Sequence, residues 1–325
     1  MTAATQPRRG AFLAPLFLFV MATLIPELLI GSTPVSRLNQ LVFQFPYYGS
    51  AALVIREAVV RLRLGRAGLV LLGVAFGLVT EGLSLQSVFN PHFLNLDIAF
   101  GRAGDVNWPW TYYMVGYHAL WSITIPVTLA GLVFRERQDE PWLGRVGLGI
   151  FLVLFVLMAF AFHALFVKLS GFRAPTLPYV GAALAAAALI VIALQLKRRD
   201  GPGAPRSTST AYVTGLLTLL FGLIWLGLYS EIFRASRVLP AGLNLAAGLG
   251  LAGAAVLLAR RLARPGDSAR RLAFVGGGLF ANTLFGFVVV SATGVRLDLY
   301  AQGVLLLLVA AGLHALGRRQ SAGRA

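Results

Sequence analysis

Residues 67–89 read AGLVLLGVAFGLVTEGLSLQSVF, an apolar stretch whose single ionisable side chain is Glu81. A helix needs about 20 apolar residues to cross roughly 30 Å of hydrocarbon, so this stretch is long enough to span a bilayer. Gly73, Gly77 and Glu81 fall at i, i+4 and i+8, which stacks two small residues and the carboxylate on one helix face. Small residues let a second helix approach closely in lipid, so that face is read as turned toward protein, with Glu81 buried against a neighbour.

Outward from this stretch, nine others complete a series at 11–31, 41–62, 111–134, 146–167, 179–196, 211–233, 241–262, 272–293 and 300–319. The chain of 325 residues is 58% hydrophobic and only 12% charged, whereas a soluble domain is about one quarter charged. The fold class is therefore an all-α polytopic transmembrane bundle of about ten helices, a single integral membrane domain over 1–325. The Pro/Gly-rich connection 197–210 (KRRDGPGAPRSTST) reads as a linker between halves 1–196 and 211–325.

The connections alternate in positive charge. Twenty of the Lys and Arg residues lie in one alternate set, including Arg61, Arg63, Arg66, Arg135, Arg137, Arg260 and Arg261, and seven lie in the other. Positive charge holds loops in the cytoplasm, which predicts both termini inside and an even number of crossings. The N-terminal apolar run is longer than a secretory h-region of roughly 7–15 residues, so it reads as a retained helix. These features point to the bacterial cytoplasmic membrane, with anionic lipid as the partner of the arginine-rich loops. The net charge of +16 does not indicate nucleic acid, because no basic patch carries interleaved aromatics. The absence of cysteine excludes disulfides and thiolate chemistry.

His118 is the expected partner of Glu81. Consecutive antiparallel helices are usually neighbours, and both residues fall roughly 10–12 Å below the outer surface at 1.5 Å per residue. Ser122 continues the His118 face, and Pro126 interrupts it at i+8. Glu27, His163 and Glu231 lie near the same outer level, each read either as an interfacial residue or as part of a proton or substrate site. Arg56 and Glu57 lie deepest on the inner side, and Glu57 with Arg61 at i, i+4 reads as a structural salt bridge. Asn282, between Gly278 and Gly286, reads as an interhelical hydrogen bond. Trp108 and Trp110, in the long external loop 90–110, read as an interfacial aromatic belt. No metal-ligand pair or nucleotide fingerprint is present, and no cofactor is assigned.

Two patches, Tyr48 through Glu57 and Glu81 through Pro91, resemble uncharacterised polytopic bacterial membrane proteins. The order Glu81, His118, His163 is also distantly similar to the CPBP intramembrane proteases of the CAAX-processing type. That resemblance implies a hydrolase with Glu81 activating water and His118 assisting. The sequence departs from the protease signature with Thr80 in place of its first Glu and Leu85 in place of its Arg. Three readings follow: a proton-coupled small-solute transporter, which the buried acid and imidazole favour, an intramembrane hydrolase, and a non-catalytic assembly partner.

Overall fold

A computed structural model describes residues 12–93, 100–197, 208–233, 239–262 and 268–322; within these, the side chains of 208, 209, 231, 233 and 257–262 are left undescribed. The fold is helical. Each expected stretch overlaps a helical rod, with 67–89 leaving the helix after Ser84: α1 Leu13–Leu28, α2 41–61, α3 Arg66–Ser84, α4 Trp108–Val133 and α5 Arg145–Ser170. These are followed by α6 Thr176–Gln195, α7 Thr208–Phe233, α8 Ala241–Leu262, α9 Ser268–Ser291 and α10 Arg296–Ala322. Among the described residues, seven helices are long and apolar enough to cross a membrane, and two shorter apolar helices run Leu13–Leu28 and Ala241–Val256. An isolated bridge among the described residues pairs Leu64 with Lys197, and a two-residue hairpin before α4 pairs Arg102–Ala103 with Val106–Asn107. Its turn residues Gly104 and Asp105 both take positive φ, 57° and 60°, as the favoured two-residue hairpin turn requires. Residues 94–99 of the same connection and 198–207 of the expected linker lie outside the described residues.

Four rods contain a widened π-turn: Leu24–Leu28 in α1, Phe45–Gly49 in α2, Val79–Ser84 in α3 and His118–Thr124 in α4. Proline accounts for three of them. Pro26 and Pro46 lie within their turns, and Pro126 lies two residues beyond the end of the α4 turn. A proline ring collides with the carbonyl four residues back and donates no N–H, and widening the turn relieves both problems. The remaining turn, Val79–Ser84, has no proline and ends α3, where Leu85 N–H reaches back five residues to the Thr80 carbonyl at 2.8 Å.

The helices divide by environment. α5 has no buried residue, and α6 and α10 have few, so their apolar sides meet lipid. The core lies among α1–α4, α7 and α9, in two aromatic-rich clusters. One centres on Trp110, Tyr117, Trp121 and Trp225, the other on Tyr47, Tyr48, Ala51 and Phe76. Lipid tails are as apolar as leucine, so these helices associate through close packing and hydrogen bonds rather than water expulsion. The α3–α4 contact shows the close packing. A Cβ on Gly73 would lie 2.9 Å from the Ala119 backbone, and one on Gly77 2.9 Å from Val115. The glycine face of α3 is thus the face that meets α4.

Candidate functional site

The π-turns bring their polar side chains together. Glu81, on the turn that ends α3, places Oε1 2.8 Å from His118 Nε2 on the π-turn of α4. Glu81 is 1% exposed and His118 2%. Glu81 Oε2 accepts a hydrogen bond from the Ser87 hydroxyl, and Ser87 in turn accepts the indole N–H of Trp110 at 3.0 Å. On the far side of the imidazole, Nδ1 lies 2.9 Å from the Ser122 hydroxyl. Five buried side chains thus form one line: Trp110, Ser87, Glu81, His118, Ser122. The line can hold its proton in two ways. Nε2–H donates to the carboxylate while Ser122 and Nδ1 share the second bond, or a protonated Glu81 donates to Nε2. Both arrangements keep every bond of the line, as a polar network in hydrocarbon favours.

Aromatic rings close the pair off. The Tyr48 ring stacks on the imidazole at 5.9 Å between centroids, and Phe76 meets it edge-on at 5.7 Å. The Tyr48 hydroxyl lies on the side of the Glu27 carboxylate. Glu27 Oε2 accepts Ser32 Oγ and Thr33 Oγ1, each at 2.9 Å, and Gln44 Nε2 at 3.2 Å. Glu27 is therefore held by neutral donors and adjoins the His118 side of the site at Tyr48. A parallel set, Tyr47 Oη with Thr80 at 2.9 Å and Ser84 at 3.3 Å, ties the π-turn of α2 to that of α3.

The remaining expected residues are placed as follows. Asn282 donates to the Ile25 carbonyl at 2.7 Å and accepts Tyr117 Oη at 3.1 Å, while Tyr117 also donates to the Pro26 carbonyl at 3.0 Å. These residues cap carbonyls of the α1 π-turn. His163 stands apart from Glu81 and His118: its Nδ1 donates to the Leu83 carbonyl at 2.8 Å and its ring meets Tyr179. It closes the end of α3 on α5. The side chain of Glu231 lies outside the described residues. Trp108 is exposed as a belt residue would be, but Trp110 and Tyr113 are buried in the core. The reason is the indole N–H, which finds Ser87 inside the bundle rather than a headgroup.

Arg56 and Glu57 do more than the i, i+4 pair suggested. Glu57 accepts Arg56 Nη1 at 2.7 Å, Arg61 Nε at 2.9 Å and the Trp142 backbone N–H at 2.7 Å. The Arg56 guanidinium lies 3.5 Å over the Trp142 ring and donates to the Arg137 and Gln138 carbonyls. The network fastens the 134–144 connection to α2.

Sequence reasoning missed Asp298, Gln302, Ser87 and Tyr48. Asp298 is buried and accepts the Ser36 N–H and hydroxyl, both at 2.9 Å. Gln302 donates to the carbonyls of Leu29 at 2.7 Å and Thr283 at 2.8 Å. An acid in the first turn of α10 was the one available signal, since such acids cap helices. Among the described residues, no group of three or more His, Cys, Asp and Glu is arranged to hold a metal ion. A family model described as an uncharacterized membrane protein family matches residues 16–319. No curated protein and no solved structure matches the chain.

Proposed function

The chain belongs to an uncharacterized membrane protein family, and from the site it carries we propose that it is a proton-coupled transporter of a small solute. In this reading it resides in the bacterial cytoplasmic membrane with ten crossings and both termini inside, the orientation that its alternating arginines support. The Glu81–His118 pair is the proton-exchanging element. The observation that carries the reading is an acid and an imidazole in hydrogen-bond contact, 1% and 2% exposed, each mounted on a π-turn. Ionisable groups within a span are costly and by default mark a functional site, and π-turns recur at such sites.

The chemistry asked of the pair is limited. A proton arriving from the outer side resides on His118 or Glu81, and its release to the inner side requires the α3–α4 contact or the Tyr48 cover to open. The closed arrangement corresponds to an occluded state, in which neither face of the membrane reaches the pair. Substrate would enter where the four π-turns meet, since a widened turn already lacks the regular ladder that rigidifies a helix.

The test uses purified protein in liposomes with an entrapped pH indicator. Addition of amines, carboxylates or sugars in turn is expected to give proton movement with one class, abolished by Glu81→Gln. Undiminished solute-linked proton movement in that variant would remove the assignment. The completeness of the hydrogen bonding favours a second reading, in which the line from Trp110 to Ser122 only fixes helix register. That reading expects Glu81→Gln to lower thermal stability while leaving any solute movement intact.

A further inference from the structure

Glu27 differs from Glu57 and Glu81 in its partners. Glu57 is paired with two guanidinium groups and Glu81 with an imidazole, whereas Glu27 makes no ion pair among the described residues. Its hydrogen-bond partners Ser32, Thr33 and Gln44 are all neutral, as is its neighbour Tyr48. Glu27 is half-buried at the end of α1, and a partly desolvated carboxylate without a cation favours a countercharge.

A second observation lies one turn away. Thr23 lies one turn before Glu27 and, within the regular part of α1, shares the helix face of Phe19. It is 0% exposed, and its hydroxyl has no hydrogen-bond partner among the described residues. Buried threonines elsewhere in this bundle return their hydroxyl to the carbonyl four residues back, as Thr80, Thr214 and Thr283 do. Thr23 does not. The face it shares is turned toward the π-turn of α2, because Phe19, one turn further back, occupies the space that a Cβ on Gly49 would take. Thr23 therefore lies on the seam between Phe19 at Gly49 and Glu27 at Gln44. Pro26 also gives no N–H to the turn that holds Thr23, leaving that turn a backbone donor short.

We propose that this seam binds a monovalent cation of the sodium type, with Glu27 supplying the charge and Thr23 and Tyr48 supplying neutral oxygens. An all-oxygen donor set selects a hard cation. A single carboxylate matches one unit of charge, whereas divalent ions in protein cages draw on several. Interrupted membrane helices present carbonyl and hydroxyl oxygens of this kind to coupling cations. Binding here does not depend on transport, so the two proposals stand or fall separately.

The test is a thermal melt of the full chain in detergent at constant ionic strength, with NaCl or KCl replacing N-methylglucamine chloride. A saturable rise in Tm with Na⁺ or K⁺ is expected, because a ligand that binds only the folded state stabilises it. Glu27→Gln is expected to abolish the rise and Thr23→Val to move its midpoint to about tenfold higher salt, while Thr23→Ser keeps it. Thr23→Val is nearly isosteric and removes an unpartnered hydroxyl, so it should melt like the parent without the cation. Glu81→Gln leaves the seam intact and is expected to keep the response even where it abolishes transport. Equal Tm in all three salts, or an undiminished rise in Glu27→Gln, would overturn the site.

Discussion

The Glu81–His118 contact sets the energetic scale for single residues. Removing one member of a buried, hydrogen-bonded pair strands the other and costs about 3–5 kcal/mol, far more than the net value of the pair. His118→Ala is therefore expected to lower stability by that amount in a reversible denaturant titration, since Glu81 and Ser122 both lose their partner. Glu81→Gln keeps the shape and an acceptor oxygen and should cost about 1 kcal/mol. Equal losses for the two variants would show that the contact is not a charged or proton-sharing pair. The same reasoning applies at the other end of the bundle. Glu57→Ala leaves the buried Arg56 guanidinium without its carboxylate and should cost about 3–5 kcal/mol. Trp142→Phe, which keeps a ring under Arg56 but loses the N–H donated to the Arg137 carbonyl, should cost about 1 kcal/mol.

At the scale of elements, the π-turns and the glycine seam act together. The turns rotate Glu27, Tyr48, Glu81 and His118 toward one another, and the glycines of α3 let α4 come close enough for a 2.8 Å bond. Gly77→Ala would push a methyl carbon to 2.9 Å from the Val115 backbone, which cannot move aside as a flexible side chain could. The expected loss is about 1–3 kcal/mol, read as a lower Tm and, because the seam positions Glu81, a weaker site. Gly253 in α8 is the control. Nothing lies within 4 Å of a Cβ placed there, so Gly253→Ala should leave stability unchanged or raise it by about 0.4–1 kcal/mol through the unfolded chain. A destabilising Gly253→Ala would mean that α8 packs on something other than lipid.

At the scale of the whole molecule, the proposed orientation is open to direct measurement, because the chain has no cysteine. Ala103→Cys, exposed in the hairpin before α4, is expected to react with a membrane-impermeant maleimide in intact cells, and Ser321→Cys only after lysis. Labelling of both from outside would remove the topology with both termini inside. The membrane class, the helical stretches and the glycine face of α3 were legible in the sequence. These depend on local facts: the length of an apolar run, and the 3.6-residue period that sets which side chains share a face. The closeness of Glu81 and His118 was also within reach, since consecutive helices pack as neighbours and loop positions fix relative depth. The rest was not legible. Tyr117 meets Asn282 across 165 residues, and Gln302 meets Leu29 across 273. Such partners follow from which helices adjoin, a matter on which a run of apolar residues is silent. A π-turn adds a residue to its helix and so rotates everything beyond it by about 100°, which defeats a face drawn at constant period. Sequence alone determined that this is a helical membrane protein with a buried acid against a close-packed neighbour. Only the tertiary structure, by rotating four widened turns toward a common centre, decided that Glu27 and Tyr48 join that acid and that His163 does not.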